Sequence, residues 1–139
     1  MMVLEYGPPI SLADAKRVID AAEAEASANR WAMVIAVMDS SGHLVALHKM
    51  DHAQFGSVTI AQAKAQTAVD FKRPTKVFEE AVAQGGLGLR LLSTPGLCPL
   101  DGGIPLLGEG KVVGAIGVSG AQSTQDGQVA AAGARVFQG

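Results

Sequence analysis

A chain of 139 residues has the size of one compact domain and is long enough to bury a substantial core. Its formal net charge of -2, with no block of lysine or arginine, excludes nucleic acid and anionic membrane surfaces as expected partners. A single cysteine cannot form an internal disulfide, and neither a secretory signal pattern nor a membrane-length apolar run is present. We therefore expect one cytoplasmic domain over 1–139, with 1–10 as an N-terminal extension. The low charged fraction of 17% indicates apolar surface buried between subunits.

The first half of the chain predicts a helix, a hairpin and a second helix. Apolar spacing favours an amphipathic helix over about 11–28, capped by Ser11, with Asp14 completing a box-like N-terminus. The runs "WAMVIAVM" and "HLVALHKM" flank the turn residues "DSSG", which predicts a hairpin over 32–50. A second helix over about 57–71 has apolar stripes on two opposite sides, so we expect both of its faces to be covered.

The second half predicts two more helices and a second hairpin. Pro74 is suited to start a helix through "TKVFEEAVAQ", and "GGLG" ends it. The segment "LRLLSTPGLCPLDGG" is a strand candidate that runs into a loop, and "GIPLLGEGKVVGAIGVSG" is a hairpin around a short turn. Ser123 opens a last helix, with Asp126 three residues on as in a capping box. Because hairpins dominate, we expect an α+β fold with an antiparallel sheet and helices against its faces.

Four segments together resemble one family. They are "VIAVMDSSGHLVALHKMD", "AQAKAQTAVDFKRPT", "GGIPL" and "GEGKVVGAIGVSGAQSTQD", and they resemble the GlcG/HbpS family, also called the haem-degrading or DUF336-like domain, over about 11–137. The patterns above predict the element order helix, two strands, two helices, two or three strands and a helix, which with three strands is α-β-β-α-α-β-β-β-α. The resemblance implies a central antiparallel sheet of about five strands flanked by helices, and assembly into dimers or larger homo-oligomers. Some relatives bind haem, and others are encoded beside genes for catabolism of glycolate, diols or aromatic compounds. Membership in such a family indicates the fold better than the function.

The junction "VVGAIGVSGAQSTQD" is the first candidate site. One face of its strand narrows to small side chains at Gly117 and Ser119, where a ligand could approach the backbone closely. Ser119, Gly120 and the first turn from Ser123 would present free N–H groups to a carboxylate or phosphate. The alternative is tight packing with an ordinary helix cap, in which the Asp126 carboxylate takes those donors. The resemblance places the family's signature on these residues and so favours a pocket.

Five further residues are candidates for binding a ligand: Lys64, Thr67, Arg73, Gly102 and Gly103. If its helix face is covered, the Lys64 ammonium must meet a carboxylate, a carbonyl or a ligand anion; otherwise it is solvated. Arg73 precedes a proline, where it could bind a carboxylate or cap the preceding helix. The two glycines suffice for a turn, and the resemblance implies that their loop also lines the pocket.

Haem is the cofactor that the resemblance suggests, and its axial ligand would come from Cys98, His48 or His52. His48 shares a strand face with apolar residues, which is also typical of a hydrogen-bonded core histidine. His52 follows the strand in a loop, where it could reach an opening or remain solvated. Cys98 stands before a proline, a dipeptide that resembles the haem-regulatory motif, although a buried thiol is the ordinary expectation. No recognised metal-site spacing is present.

Three functions remain open. The leading one is a small-ligand-binding protein of the GlcG/HbpS type that takes haem or a related planar cofactor. The second is a cofactor-free enzyme acting on a small carboxylate or carbonyl compound. In that enzyme, Lys64 or Asp126 would act as acid, base or anion-orienting group, and Ser119 with Gly120 would donate to a developing oxyanion. The third is a non-catalytic subunit of an assembly.

Overall fold

The computed structural model describes residues 3–137, which form four strands and five helical segments. In chain order these are α1 (Leu12–Ala28), β1 (Val34–Asp39), β2 (Leu44–Lys49), α2 (Gly56–Phe71), α3 (Lys76–Ala83), a 3-10 helix (Gly86–Ser93), β3 (Gly103–Gly108), β4 (Lys111–Ser119) and α4 (Ser123–Arg135). None of the helices within 3–137 is long and apolar enough to cross a membrane.

The strands form one antiparallel sheet in the order β2-β1-β4-β3. Both predicted hairpins are present, and the second turns at Glu109 (φ 52°) and Gly110 (φ 79°), the paired positive φ angles of a type I′ turn. The α+β fold and the antiparallel sheet are confirmed. The expectation of about five strands is wrong, because the sheet has four.

The missing strand is the segment "LRLLSTPGLCPLDGG", which forms the end of the 3-10 helix and a loop. Its apolar residues are leucines rather than β-branched residues, so its strand preference is weak. Pro95 and Pro99 lack the N–H group that a sheet ladder needs. Gly85 and Gly86 precede it with positive φ angles of 72° and 59°, which turn the chain into the 3-10 helix.

Helices cover both faces of the sheet. α1 and α4 pack together on one face, over alternate residues of the central strands such as Ile35, Val37 and Ile116. α2 packs on the other face against Val34, Ala36 and Ala115. Because the two central strands are covered on both sides, they are apolar except at their ends.

The caps of α1 and α4 differ in how well the sequence predicts them. Ser11 caps α1 as expected, since its hydroxyl oxygen accepts from the backbone N–H of Asp14 at 3.1 Å. α4 does begin at Ser123, but its capping box is formed by Gln122 and Gln125 and not by Ser123 and Asp126. Glutamine is not among the residues preferred at an N-cap, so the sequence pattern placed the capping box one residue too late.

The N-terminal extension lies beside β4. The backbone of Glu5 accepts from Val112 at 2.9 Å, and the N–H of Gly7 donates to the Val112 carbonyl at 2.8 Å. Tyr6 donates its hydroxyl proton to the Val69 carbonyl near the end of α2 at 2.7 Å. The extension therefore ties the beginning of β4 to the C-terminal part of α2.

Candidate functional site

A buried ion pair joins the two helix layers at the end of β4. Lys64, on α2, places its Nζ 2.9 Å from Asp126 Oδ2 on α4, and the same ammonium donates to the Val118 carbonyl at 2.9 Å. The two side chains are only 1% and 4% exposed. Of the partners that the sequence left open for a covered Lys64, the structure supplies a carboxylate and a carbonyl.

The Lys64 side chain lies against the backbone at the beginning of β3, where two glycines leave space for it. A Cβ atom on Gly102 would lie 2.9 Å from Lys64 Nζ and 2.6 Å from the Val118 oxygen. A Cβ atom on Gly103 would overlap the Lys64 carbonyl oxygen. The N–H of Gly103 also donates to Thr75 Oγ1 at 2.9 Å. The double glycine therefore lets the lysine side chain run alongside the backbone from one face of the sheet to the other.

Asp126 uses both of its oxygens within the protein. Its Oδ1 accepts from the backbone N–H of Ala121 at 3.0 Å while its Oδ2 faces Lys64. Burial raises the pKa of Asp126, and the hydrogen bond and positive charge of Lys64 act in the opposite direction. A donor at the predicted anion seat is thus occupied by the chain's own carboxylate.

Small residues at the junction allow the backbone of β4 and the residue after it to lie close to α2 and to the segment before β1. Ser119 donates its hydroxyl proton to Ser57 Oγ on α2 at 3.0 Å. A Cβ atom on Gly117 would overlap the Ala61 carbonyl oxygen, and one on Gly120 would lie 2.5 Å from the Ala32 carbonyl oxygen. The narrow strand face predicted from the sequence is therefore in direct contact with α2 and with the segment before β1.

Thr67, on α2, and Cys98, in the loop before β3, form a second buried contact. The Thr67 hydroxyl donates to the Ala63 carbonyl at 2.8 Å and accepts from the backbone N–H of Cys98 at 3.0 Å. Burial raises the pKa of Cys98, which outweighs the lowering by the Lys64 charge. Because iron and other metals bind the thiolate form, this environment disfavours Cys98 as an axial ligand at neutral pH.

Arg73 and His48 lie away from the junction. Arg73 is exposed, and its Nε donates to the Phe71 carbonyl at 3.0 Å, the helix-capping contact that the sequence offered beside carboxylate binding. His48, on β2, places its Nδ1 2.8 Å from Glu23 Oε1 on α1. The three predicted haem-ligand candidates therefore do not meet, because His48 faces α1, Cys98 contacts α2 and His52 lies in the loop after β2.

The loop between β2 and α2 forms an open groove of about 590 Å³. We call it the 49–55 groove, and it is lined by Lys49, His52, Ala53, Gln54 and Phe55. Of the predicted site residues, His52 lies here. The backbone of His52 has a φ of 70°, a conformation uncommon outside glycine, and it turns the chain between the strand and the helix.

The walls of the 49–55 groove combine an aromatic ring, a cation and an imidazole. The Phe55 side chain is 84% exposed, although it is one of the chain's few aromatic residues. Lys49 Nζ lies 5.7 Å from the centre of the Phe55 ring. Lys49 and Phe55 are not among the residues predicted from the sequence; the available signal was an aromatic residue in a loop, outside any apolar stripe.

A short hydrogen-bonded path connects the groove to the β4 junction. Gln54, in the groove wall, donates to Ser57 Oγ at 3.2 Å, and Ser57 accepts in turn from Ser119. Both hydroxyl groups are on buried residues. The groove is thus two hydrogen bonds from the end of β4.

Asp101 is a second acid near the ion pair that the sequence did not single out. It precedes Gly102, and its carboxylate lies against the Cα of Gly127 on α4, where a Cβ atom would be 2.5 Å from Oδ2. Burial and the nearby Glu79 raise the pKa of Asp101, while Lys76 and Lys64 lower it. Within 3–137 no group of three His, Cys, Asp or Glu residues is placed to hold a metal ion.

Comparison with known proteins identifies relatives over most of the chain. The family described as "Haem degrading protein HbpS-like" matches residues 10–135. Protein GlcG of Escherichia coli K12 is 43% identical over 105 residues, which are 76% of this chain and 77% of that protein. The Klebsiella pneumoniae protein ORFY superposes with a TM-score of 0.86 at 31% identity, covering 99% of this chain and 96% of ORFY. PduOC, solved as a complex with haem, has a TM-score of 0.82 at 26% identity and covers 91% and 94%. The chain is thus similar to the GlcG proteins, and it belongs to the HbpS-like family.

Proposed function

We propose that this protein binds haem or a related planar cofactor in the 49–55 groove. The observation that carries the proposal is the combination of an open groove with an exposed aromatic ring, an ammonium group and a loop imidazole. By contrast, the ion pair at the end of β4 is almost fully buried. A ligand reaches the groove without any rearrangement of the core.

The groove residues fit the chemistry of haem. The imidazole of His52 would supply the axial nitrogen, and the Phe55 ring would lie against the porphyrin face. The Lys49 ammonium would neutralise a propionate carboxylate. The volume of about 590 Å³ falls within the range of small-molecule sites. When bound, haem would supply redox and oxygen chemistry, while these residues hold and orient it.

The relatives support haem as the ligand class. The family is described as haem-degrading, and PduOC was solved with haem. Kinship by itself indicates the fold better than the ligand. The groove chemistry of this chain supports haem in addition to kinship.

The test is an absorbance titration of the purified protein with haem. We expect a saturable, stoichiometric Soret shift that is lost or strongly weakened in His52→Ala. His43→Ala is the matched control, because His43 is also exposed but hydrogen-bonds within the first hairpin to Ser41. A wild-type protein with no Soret shift contradicts haem binding. Loss of the shift in Cys98→Ser, with His52→Ala unaffected, contradicts the groove as its site.

A second candidate function is turnover of a small carboxylate or carbonyl compound at the junction. It is favoured by two acids of raised pKa, Asp101 and Asp126, around the Lys64 ammonium. In that reaction Lys64 or Asp126 would transfer protons or orient the substrate anion. Ser119 and Gly120 would stabilise an oxyanion after exchanging their present partners, Ser57 and Asp126, for the substrate. A thermal-shift screen of small organic acids tests it: stabilisation of the wild type that disappears in Asp101→Asn supports binding at this site. An unchanged melting temperature with every acid argues against it.

We further propose that the chain works as a cytoplasmic homo-oligomer. The low charged fraction and several exposed apolar side chains support assembly. Light scattering coupled to size exclusion measures the number of subunits. A monomer at micromolar concentration contradicts this proposal and leaves haem binding to be judged by the titration.

A further inference from the structure

The 3-10 helix is apolar but buries none of its residues within the chain. Leu87 and Leu92 are 79% and 64% exposed, and Leu89 is half exposed. An apolar helix normally buries one face, and here the described chain covers Gly88 and Leu91 in part but leaves these three leucines exposed. These leucines are therefore available to a partner.

Neighbouring segments extend this apolar area. Gly88 lies directly on the Ala81 carbonyl of α3, so the 3-10 helix and α3 are in close contact. The loop before β3 is also joined to α3, because the backbone N–H of Asp101 donates to Glu79 Oε1 at 3.3 Å. Each segment contributes further exposed apolar side chains. We call the whole set the leucine surface: Val77, Leu87, Leu89, Leu92 and Leu100.

Charges on the leucine surface are few and of both signs. From residue 81 to residue 100 the only charged residue is Arg90. Ser93 and Thr94 donate to its backbone carbonyl, and within 3–137 its guanidinium has no hydrogen-bond or ion-pair partner. On α3, Glu80 meets Lys76 at 3.8 Å, and both side chains are 61% exposed, so that pair is loose. The surface thus offers an unpaired cation and a weakly held carboxylate.

We propose that the leucine surface is the contact between two copies of this chain, related by a two-fold axis. A two-fold axis sets one patch against itself, so Arg90 of each copy meets Glu80 of the other while the leucines pack between them. This arrangement satisfies both charges without any other partner. The five exposed apolar side chains all come from one stretch of the chain, from α3 to the loop before β3. The inference rests on the proposed homo-oligomer and names its surface.

Substitutions of exposed leucines test the apolar part of the contact. We expect Leu87→Gln/Leu92→Gln to lower the subunit number measured by light scattering, with the dissociation constant rising at least ~10-fold. The control is Leu12→Gln/Leu44→Gln, two leucines on α1 and β2 that are about half exposed and lie outside the leucine surface. All four side chains are exposed, so circular dichroism and the melting temperature should stay unchanged.

A charge exchange tests the two-fold pairing. Arg90→Glu and Glu80→Arg should each weaken association, and the double variant Arg90→Glu/Glu80→Arg should restore it, because the pair is re-formed with its signs reversed. A monomeric wild type overturns the homo-oligomer and this inference together. A wild-type oligomer that persists unchanged in the leucine and charge variants overturns only the inference, and assembly then uses another surface.

Discussion

The β4 junction and the 49–55 groove are opposite ways of using polar residues. At the junction, Lys64 and Asp126 are almost fully enclosed and each satisfies the other. In the groove, Lys49, His52 and Phe55 border open space and make few contacts. The polar cluster at the end of β4 therefore supports the fold. The loop that lines the 49–55 groove instead has polar groups that are free to bind a ligand.

The largest expected effect is on the junction. Lys64→Met leaves the Asp126 carboxylate buried without its cation, and we expect a loss of about 3–5 kcal/mol in the free energy of unfolding. The double variant Lys64→Met/Asp126→Leu should recover most of that loss, because it also removes the carboxylate that the single variant leaves buried and unpaired. Urea denaturation measures both.

The pH dependence of that variant follows from the raised pKa of Asp126. A carboxyl group whose pKa is higher in the folded than in the unfolded chain stabilises the fold only while it is protonated. Without Lys64 the pKa should rise further, so Lys64→Met should lose stability as pH rises through that pKa. A loss below about 1 kcal/mol at neutral pH would show that Lys64 does not support the junction.

The next effect concerns the glycine beside the ion pair. Gly102→Ala puts a Cβ atom 2.6 Å from the Val118 oxygen, at a φ of 130°, and should cost about 1–3 kcal/mol in unfolding free energy. Gly56→Ala is the matched control, since nothing lies within 4 Å of its added Cβ and its φ is ordinary. Equal stability of the two variants would contradict the close passage of Lys64 past Gly102.

In the groove we expect the reverse: an effect on binding without one on folding. Phe55→Ala should leave the unfolding free energy within about 0.5 kcal/mol, because the ring is 84% exposed. Haem affinity should fall by about tenfold, since the stacking contact with the porphyrin is lost. Leu44→Ala, another exposed apolar residue, is the control for both measurements. A large stability loss in Phe55→Ala would make the groove part of the packed structure.

The fold was largely readable from the sequence because its signals are local. Helical spacing and the turns "DSSG" and "GEGK" determine most elements, and the Ser11 cap follows from residue type. The 3-10 helix was misread because leucine runs suit several structures and Gly88 acts through contact with α3, which no local pattern reveals.

The site was less predictable, since its key relations join distant residues. Sequence singled out Lys64 and Asp126 separately, but their pairing depends on α2 and α4 lying on opposite faces of the sheet and meeting at the end of β4. The 49–55 groove depends on a loop with His52 in an uncommon conformation and on a solvent-facing phenylalanine. Exposure of one side chain is a property of the whole fold, so periodicity could not indicate it.

The smallest effect is expected at Asp101. This residue is intermediate between the enclosed β4 junction and the open 49–55 groove. It is half-buried, with a pKa raised by burial and by Glu79. Its folded pKa therefore exceeds its unfolded value near 3.8, so the protein loses some stability as Asp101 ionises. Relative to the wild type, Asp101→Asn should become slightly more stable as pH rises through that folded pKa, because Lys76, Lys64 and the Gly102 N–H partly offset the burial. Urea denaturation of both proteins from about pH 4 to pH 7 checks this. A wild type that gains on the variant over this range would mean that the nearby cations outweigh burial at Asp101 and lower its folded pKa, which contradicts this prediction.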